Sequence, residues 1–435
     1  MTREKQPTPE PFPLLNTADQ LAPENNEPRR RRKSSGLGGE IRAGDTGVPS
    51  LASSRHSLSA TDRPSLNGVA NGKNHTKAGK RRRARGLLSR AKHIIVKHTW
   101  VLPAVMLVVM LTAYAINPSE SNIMHRFIFL SYPLPQDDPA LPMHYGKGRW
   151  DVAFVLFYIV VLSFTREFIM QEMLLPLAKK TGLSRAKQAR FMEQAYTAIY
   201  FAFLGPAGLY VMSKTPVWYF NTTGMYENFP HKTHEAEVKF YYLFQAAYWA
   251  QQAIVLILGL EKPRKDYYEL VGHHIVSLAL IGLSYRFHFT YIGVAVYISH
   301  DISDFFLATS KVLNYLDHWL IGPYFFVFLC VWVYLRHYIN IRILISLFTE
   351  FRTVGPFELD WAAEQYKCTL SQFITAGLLM SLQALNLFWL FYIVRIAVRF
   401  LISPEQATDD RSDDEEEEEI EVPTVAINGK AEKTD

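Results

Sequence analysis

The stretch that decides the fold runs from Gly272 to Tyr315 and reads GHHIVSLALIGLSYRFHFTYIGVAVYISHDISDFFLATSKVLNY. It holds two apolar runs of helical length, separated by the short segment from Arg286 to Thr290. A helix that crosses the hydrocarbon core of a bilayer needs about 20 mostly apolar residues. The stretch therefore predicts two antiparallel membrane-spanning helices. Ionisable side chains recur in both of them: His273 and His274 in the first, and His300, Asp301, Asp304 and Lys311 in the second.

Folding these two helices back about a turn near His288 brings the histidine pair level with Ser303. Asp301 and Asp304 are three residues apart and so share a helix face near that depth. Ionisable groups in hydrocarbon cost several kcal/mol and by default indicate a functional site. A carboxylate against an imidazole fixes its tautomer and stabilises its protonated form, as in general bases and activated nucleophiles. We therefore predict a catalytic site formed by the histidine pair and these two aspartates.

Other interpretations of the same residues stay open. A single histidine in a spanning helix more often makes a hydrogen bond between helices. Histidine and aspartate also bind metals, but the apolar core has one HH pair and no HxxxH pattern, so we predict no metal site. A proton-coupled transporter would bury similar groups, although no inverted repeat is visible. Further polar residues could line a cavity and are more readily explained by interhelical hydrogen bonds: Gln245, Gln251, Gln252, Gln383 and Asn386.

Outward from this stretch, apolar runs of bilayer length recur along the chain. We predict an all-α polytopic membrane protein with about eight spanning helices. These are Trp100–Ile116, Trp150–Phe168, Ala195–Val211, Phe240–Leu260, Tyr268–Tyr285, Tyr291–Leu313, Trp319–Ile343 and Phe373–Phe400.

The orientation follows from positive charge, which is enriched in cytosolic loops. Lys and Arg cluster before the first span and in the second-to-third and fourth-to-fifth loops, namely in Lys80–Arg85, Lys179–Arg190 and Lys262–Lys265. The opposite side carries a glycosylation sequon at Asn221. An even number of spans places both termini in the cytosol. Arg336 and Arg342, near the far end of the seventh span, go against the rule.

The two tails are polar and oppositely charged. Residues 1–98 carry 20 Lys and Arg against 8 Asp and Glu, a net of +12, whereas residues 404–435 carry 3 against 13, a net of −10. Neither tail has apolar periodicity, so both are predicted to be disordered, and the overall +5 does not predict nucleic-acid binding. Kinase-type sites are predicted at Ser34, Ser35 and Ser412. The two cysteines exclude a disulfide framework, and no cleavable signal peptide is expected.

From about Tyr145 to Phe400 the chain resembles the TLC-domain (longevity-assurance) family, specifically the ceramide synthases of fungi. The similar segments are YGKGRWDVAFVLFYIVVLSFTREF, RFMEQAYTAIYF, KFYYLFQAAYWAQQ, EKPRKDYYELVGHHI, SHDISDFFLATSKVLNY and LQALNLFWLF. The most specific part is the HH…HD…D core of the Lag motif, complete in His273, His274, Asp301 and Asp304. Where animal members usually have a Glu, this chain has Ala308, as expected of a fungal-type version.

The resemblance implies N-acylation of a sphingoid base by a fatty acyl-CoA in the endoplasmic reticulum membrane, with no cofactor beyond that co-substrate. It implies a barrel of six or seven helices. The resemblance to fungal members also implies a small single-pass accessory subunit and a homo- or heterodimer. The residues of this chain do not by themselves predict either one. The rival classes are a non-enzymatic TLC-domain protein that senses lipid or assists translocation, and a proton-coupled transporter.

The expected roles follow from the resemblance and the chemistry together. His273 is preferred over His274 as the group that acts on the acyl carbonyl or the amine, with both aspartates orienting the imidazoles. Tyr297 and Lys311 extend the same face as substrate-binding residues. Lys262, Arg264 and Lys265 are candidates for contacting the coenzyme A phosphates. The predicted organisation is a tail at 1–90, a first helix and lumenal loop at 91–144, a catalytic domain at 145–403 and an acidic tail at 404–435.

Overall fold

The computed structural model describes residues 97–135, 138, 140–261 and 265–402. The predictions for the two tails, and those for Ser34, Ser35, Ser412, Lys262 and Arg264, lie outside these residues. Within them, the strand content is one short antiparallel pair, β1 (His144–Tyr145) and β2 (His234–Glu235). The rest of the regular structure is helical, which confirms the all-α prediction.

Eight long helices and one short one are described, and each long helix overlaps one predicted apolar run. They are α1 (Val101–Ile116), the four-residue α2 (His125–Ile128), α3 (Trp150–Lys180), α4 (Arg185–Ser213), α5 (Ala236–Ile257), α6 (Tyr267–Arg286), α7 (Thr290–Tyr315), α8 (Ile321–Thr349) and α9 (Thr369–Ile402). Two single-turn 3₁₀ helices lie in the loop after α4, at Trp218–Phe220 and Thr223–Met225.

Four of these helices, α3, α4, α8 and α9, are long and apolar enough to cross a membrane, and α1 is apolar but shorter. The protein is therefore a multi-pass membrane protein. Helices α5, α6 and α7 fall outside this group because polar side chains interrupt their apolar runs. Those same side chains form the site described below.

The turn between α6 and α7 reverses the chain within three residues, Phe287 to Phe289. His288 sits there with a φ of 66°, in the left-handed region that few residues other than glycine adopt. Its ring is buried against Tyr366. The two helices predicted from the deciding stretch are thus separate and joined by a tight connection.

Helix α7 lies at the centre of the packing. It contacts α4 most extensively, and it also packs against α6 and α8. Gly208 permits the close approach of α4, since a Cβ added there would lie 2.9 Å from the side chain of Ile298. Around this centre, α3 packs against α1, α4 and α5, while α9 packs against α6 and α8.

Two helices contain a π-helical segment, a rare geometry that is frequent at functional sites. In α3 it covers Ile169–Leu174, and in α8 it covers Val333–Ile339. The segment in α8 directs Arg336 and His337 into the helix bundle, where both side chains are buried.

Candidate active site

The histidine pair lies in the second turn of α6 and is buried among aromatic rings. His273 and His274 are 5% and 8% exposed. The His273 ring centroid lies 5.5 Å from that of Trp249 and 5.3 Å from that of Trp389. The Nδ1 atoms of both histidines are buried without a hydrogen-bond partner. Each imidazole therefore keeps an unused ring nitrogen in water-poor surroundings.

The two aspartates of α7 have different partners from those predicted. Asp301 accepts a hydrogen bond of 2.8 Å from the Tyr241 hydroxyl and a second one from the Gln245 amide, both on α5. Asp304 forms an ion pair with Arg336 of α8. No Asp–His hydrogen bond joins these described residues to the pair on α6. The expectation of a direct contact was wrong because Tyr241 and Gln245 of α5 bind one carboxylate and Arg336 of α8 binds the other.

Arg336 is the residue that sequence reasoning missed. Besides the ion pair with Asp304, its Nε donates to Ser303 Oγ at 2.7 Å and its Nη1 to Asn386 Oδ1 at 3.1 Å. The guanidinium also lies 4.3 Å from the centroid of the Trp332 ring. The sequence did contain a signal for it. Arg336 lies inside an apolar run and goes against the positive-inside rule, and such an arginine needs a partner within the protein.

The polar side chains of α5, α8 and α9 mostly bind one another across helix interfaces. Asn386 lies 3.4 Å from His300 Nε2, Gln383 lies 2.7 Å from His337 Nδ1, and Asn340 donates to Gln383 at 2.7 Å. This confirms the interhelical interpretation for Gln383 and Asn386, as the Asp301 contact does for Gln245. Gln252 instead lines a cavity.

A polar cavity of about 220 Å³ collects the ionisable groups of the predicted site. Its wall includes His273, His274, Asp304, Arg336 and Lys311. The cavity extends along α5 and α6 to Glu261 and Asp266, at the connection between these helices. Asp301 does not line it. Three of the four predicted catalytic residues therefore share one cavity with a cation that the sequence did not assign.

A second cavity, of about 200 Å³, is almost wholly apolar and begins at the same histidine. His273 and Trp249 line both cavities, whereas His274 lines only the polar one. The apolar cavity follows α6 through Ser277 and Leu280 to Phe287. That is fourteen residues from His273, or about 21 Å of helix. Loop and α9 residues, among them Trp361 and Leu378, close its other side.

The remaining predicted site residues are distributed over both ends of the bundle. Tyr297 is buried in the apolar cavity, with its ring 5.1 Å from that of Tyr242. Lys265 is exposed just before α6, and Asn221 is exposed in the loop between α4 and β2. In the part of the chain that the structure describes, no three His, Cys, Asp or Glu side chains are grouped to hold a metal ion.

Comparison with known proteins gives a consistent result. The sequence profile of the TLC domain family matches residues 190–395. The sphingosine N-acyltransferase-like protein FUM17 of Gibberella moniliformis is 57% identical over 75% of this chain and 85% of its own length. Sphingosine N-acyltransferase lac1 of Schizosaccharomyces pombe is 48% identical, over 78% and 88% respectively. Ceramide synthase LAG1 of Saccharomyces cerevisiae is 45% identical, over 75% and 78%.

Proposed function

The chain belongs to the TLC-domain family of sphingosine N-acyltransferases, and on this premise we propose that it transfers a fatty acyl group from acyl-CoA to the amine of a sphingoid base. The product is a ceramide and free coenzyme A. The amine nitrogen forms a bond to the thioester carbonyl carbon, the carbon–sulfur bond breaks, and the proton lost by the amine is returned to the sulfur.

One observation carries the proposal: His273 stands where an apolar and a polar cavity meet. A fatty acyl-CoA has the same division, with a hydrocarbon chain on one side of its thioester and a charged carrier on the other. Placing the chain along α6 brings the thioester carbonyl to His273 and points the carrier toward Lys311 and Arg336. Desolvated polar groups at that point would act on the carbonyl with little competition from water.

Within this arrangement, His273 acts on the reacting atoms and the other groups support it. His273 either accepts the proton of the attacking amine or attacks the thioester itself to form an acyl-imidazole, which the amine then cleaves. Arg336, held by Asp304 and Ser303, would stabilise negative charge on the carbonyl oxygen. Asp301 holds α5 against α7 through Tyr241 and is a positioning residue.

Acid quenching separates the two mechanisms. Acyl-CoA labelled in its acyl group is mixed with purified protein without sphingoid base, stopped in acid and analysed for label on the polypeptide. An acyl-imidazole predicts label on the peptide that contains His273, lost in His273→Ala and kept in His144→Ala, a control at an exposed histidine of β1. Absence of label with normal turnover would exclude the covalent route.

Filling the apolar cavity should change the accepted chain length. Ser277 lies one helical turn beyond His273 and lines the cavity. Ser277→Phe is expected to reduce turnover of long-chain acyl-CoA by about 5- to 150-fold, as overpacking of about 1–3 kcal/mol implies, and to spare short-chain acyl-CoA. Ile275→Phe, at a position 65% exposed on the same helix, is the matched control. Equal loss for all chain lengths would argue against a chain-binding cavity.

The membrane arrangement proposed is eight spans with α3 to α9 forming the barrel. Pairwise packing supports it, because contacts lead from α3 to α5, α6, α9, α8, α7 and α4 and return to α3. The Lys- and Arg-rich connections, with Lys265 and the segment that contains Lys262 and Arg264, would face the cytosol and the acyl-CoA. We place the protein in the endoplasmic reticulum membrane with both termini cytosolic. We also propose, from the family resemblance alone, that the protein binds a small accessory subunit and forms a dimer.

Glycosylation tests this orientation. Asn221 is exposed at the end of the bundle opposite the polar cavity, whereas the sequon at Asn74 lies in the basic tail. In cells we expect one glycan, removed by glycosidase treatment and abolished in Asn221→Gln but not in Asn74→Gln. A glycan at Asn74 would place the amino terminus in the lumen and contradict the orientation.

A further inference from the structure

A third cavity, of about 680 Å³, lies at the other end of the bundle from the histidine pair. It is formed by the segment before α3, the end of α6 and the loop that contains Glu364. Tyr242 and Ile281 separate it from the apolar cavity, since both residues line the two. Its wall carries four basic side chains, those of Lys147, Arg149, Lys232 and Arg286. The proposed acyl transfer uses none of them.

The carboxylates of this cavity are already paired. Asp151 forms an ion pair of 2.7 Å with Lys239 and accepts a hydrogen bond of 2.8 Å from Tyr285. Glu364 lies 3.6 Å from Lys232 and 3.8 Å from the imidazole of His288. Among the described residues, Lys147, Arg149 and Arg286 have no ion-pair partner. The cavity therefore has a surplus of positive charge.

Two groups in the wall of this cavity are suited to bind an anion. Lys147 Nζ donates to the Tyr285 carbonyl at 3.2 Å and lies 3.3 Å from His288 Nδ1, and burial lowers the pKa of this lysine to about 7. The Nε2 atom of His288 is buried and has no partner within hydrogen-bond distance, the Glu364 carboxylate lying 3.8 Å away. A phosphate group would satisfy the ammonium, the imidazole and the guanidinium groups at the rim by charge-assisted hydrogen bonds.

The remaining wall of the cavity is apolar and opens to the outer face of the bundle. It consists of Val152 and Val155 of α3 with Leu243 and Ala246 of α5. Val152 is 61% exposed, on a helix long and apolar enough to cross a membrane. A ligand could thus place a hydrocarbon chain against α3 and α5 while its head reaches the basic rim. A free phosphate ion would leave this wall unused.

We propose that this cavity binds a membrane phospholipid of net negative charge, with its phosphate among Lys147, Arg149 and Arg286 and one acyl chain along α3 and α5. A phosphate without a compensating ammonium matches the unpaired guanidinium groups of Arg149 and Arg286, and its negative charge would favour the protonated form of Lys147. This lipid site is separate from the histidine pair, so it does not depend on the proposed acyl transfer.

The test measures lipid binding to the purified full chain in detergent, by native mass spectrometry and by the shift in melting temperature. The probes are phosphatidic acid, phosphatidylcholine and diacylglycerol with the same acyl chains, and inorganic phosphate. The variant is Lys147→Met, Arg149→Gln and Arg286→Gln combined. Its matched control replaces three basic residues at the opposite end, Lys179→Met, Lys180→Met and Arg185→Gln, and elution on gel filtration checks that both variants are folded.

We expect phosphatidic acid to bind at least about tenfold more tightly than phosphatidylcholine and diacylglycerol, which have no net charge. That preference should be lost in the triple variant and kept in its control, as removal of charge-assisted contacts implies. Equal binding of phosphatidic acid and diacylglycerol would overturn the proposal. So would an unchanged preference in the triple variant. If inorganic phosphate raises the melting temperature as much as phosphatidic acid does, the cavity is a simple anion site and the proposal of a lipid ligand is wrong.

Discussion

Replacing His273 by alanine is expected to reduce ceramide formation by at least about 10³-fold, within the range by which a general base accelerates proton transfer and below the full effect of losing a nucleophile. The reason is positional, because His273 lines both the apolar and the polar cavity. His274, which lines only the polar one, should matter less to the chemical step than to the binding of the carrier end. The measurement is the amide product by mass spectrometry, using purified protein, a sphingoid base and a panel of acyl-CoAs.

Two controls make that result interpretable. His144→Ala removes an exposed histidine from the far end of the bundle and should leave turnover unchanged. Gel filtration and melting temperature of His273→Ala should match the unaltered chain, because the buried Nδ1 atom of His273 makes no hydrogen bond that the substitution would break. A folded His273→Ala protein with full activity would remove this residue from the reaction.

Replacing Arg336 by methionine is expected to have the second large effect. Asp304 would be left inside the bundle without its ion-pair partner, and breaking a buried pair from one side costs about 3–5 kcal/mol. For a chain of this size that corresponds to a fall in melting temperature of roughly 10 °C. Arg342→Met is the matched control, since this arginine is on the same helix and contacts the Tyr338 ring at 6.0 Å.

A double variant distinguishes structure from function at this pair. Asp304→Asn combined with Arg336→Met removes both charges, so no buried carboxylate is left unpaired and most of the melting temperature should return. Turnover should not return with it, because both side chains line the polar cavity beside the histidines. If the double variant recovers both stability and turnover, the pair is purely structural and the carbonyl-stabilising role of Arg336 is wrong.

The positions of the helices could be read from the sequence, but some of their ends could not. Each of the eight predicted apolar runs overlaps one long helix, and four of these helices are long and apolar enough to cross a membrane. Helix α4 begins at Arg185, ten residues before the predicted Ala195. Its first turns are polar, and it is started by Ser184, whose hydroxyl accepts from the Lys187 amide. Apolar runs alone do not reveal such a polar extension, which begins at a side-chain cap.

The sequence predicted which of these side chains lie near one another, but not what they contact. Folding α6 against α7 predicted a common depth, and the histidine pair and Asp304 do line one cavity. The partner of Asp304 comes from α8, 32 residues further on, and its direction depends on a π-helical segment that no periodicity rule anticipates. Spacing gives the common face of a helix but not the neighbour that this face will meet.

Photo-cross-linking of a bound acyl chain tests the central claim most directly, namely that the chain lies along α6 with its carbonyl at His273. A fatty acyl-CoA with a diazirine at its methyl end is bound to the purified protein, irradiated, and the labelled peptides are identified by mass spectrometry. Label is expected on the peptides around Phe287, Trp361 and Leu378, which line the apolar cavity, and this label should be lost in Ser277→Phe. Label confined to outward-facing residues such as Phe203 and Ile257, unaffected by that substitution, would contradict it.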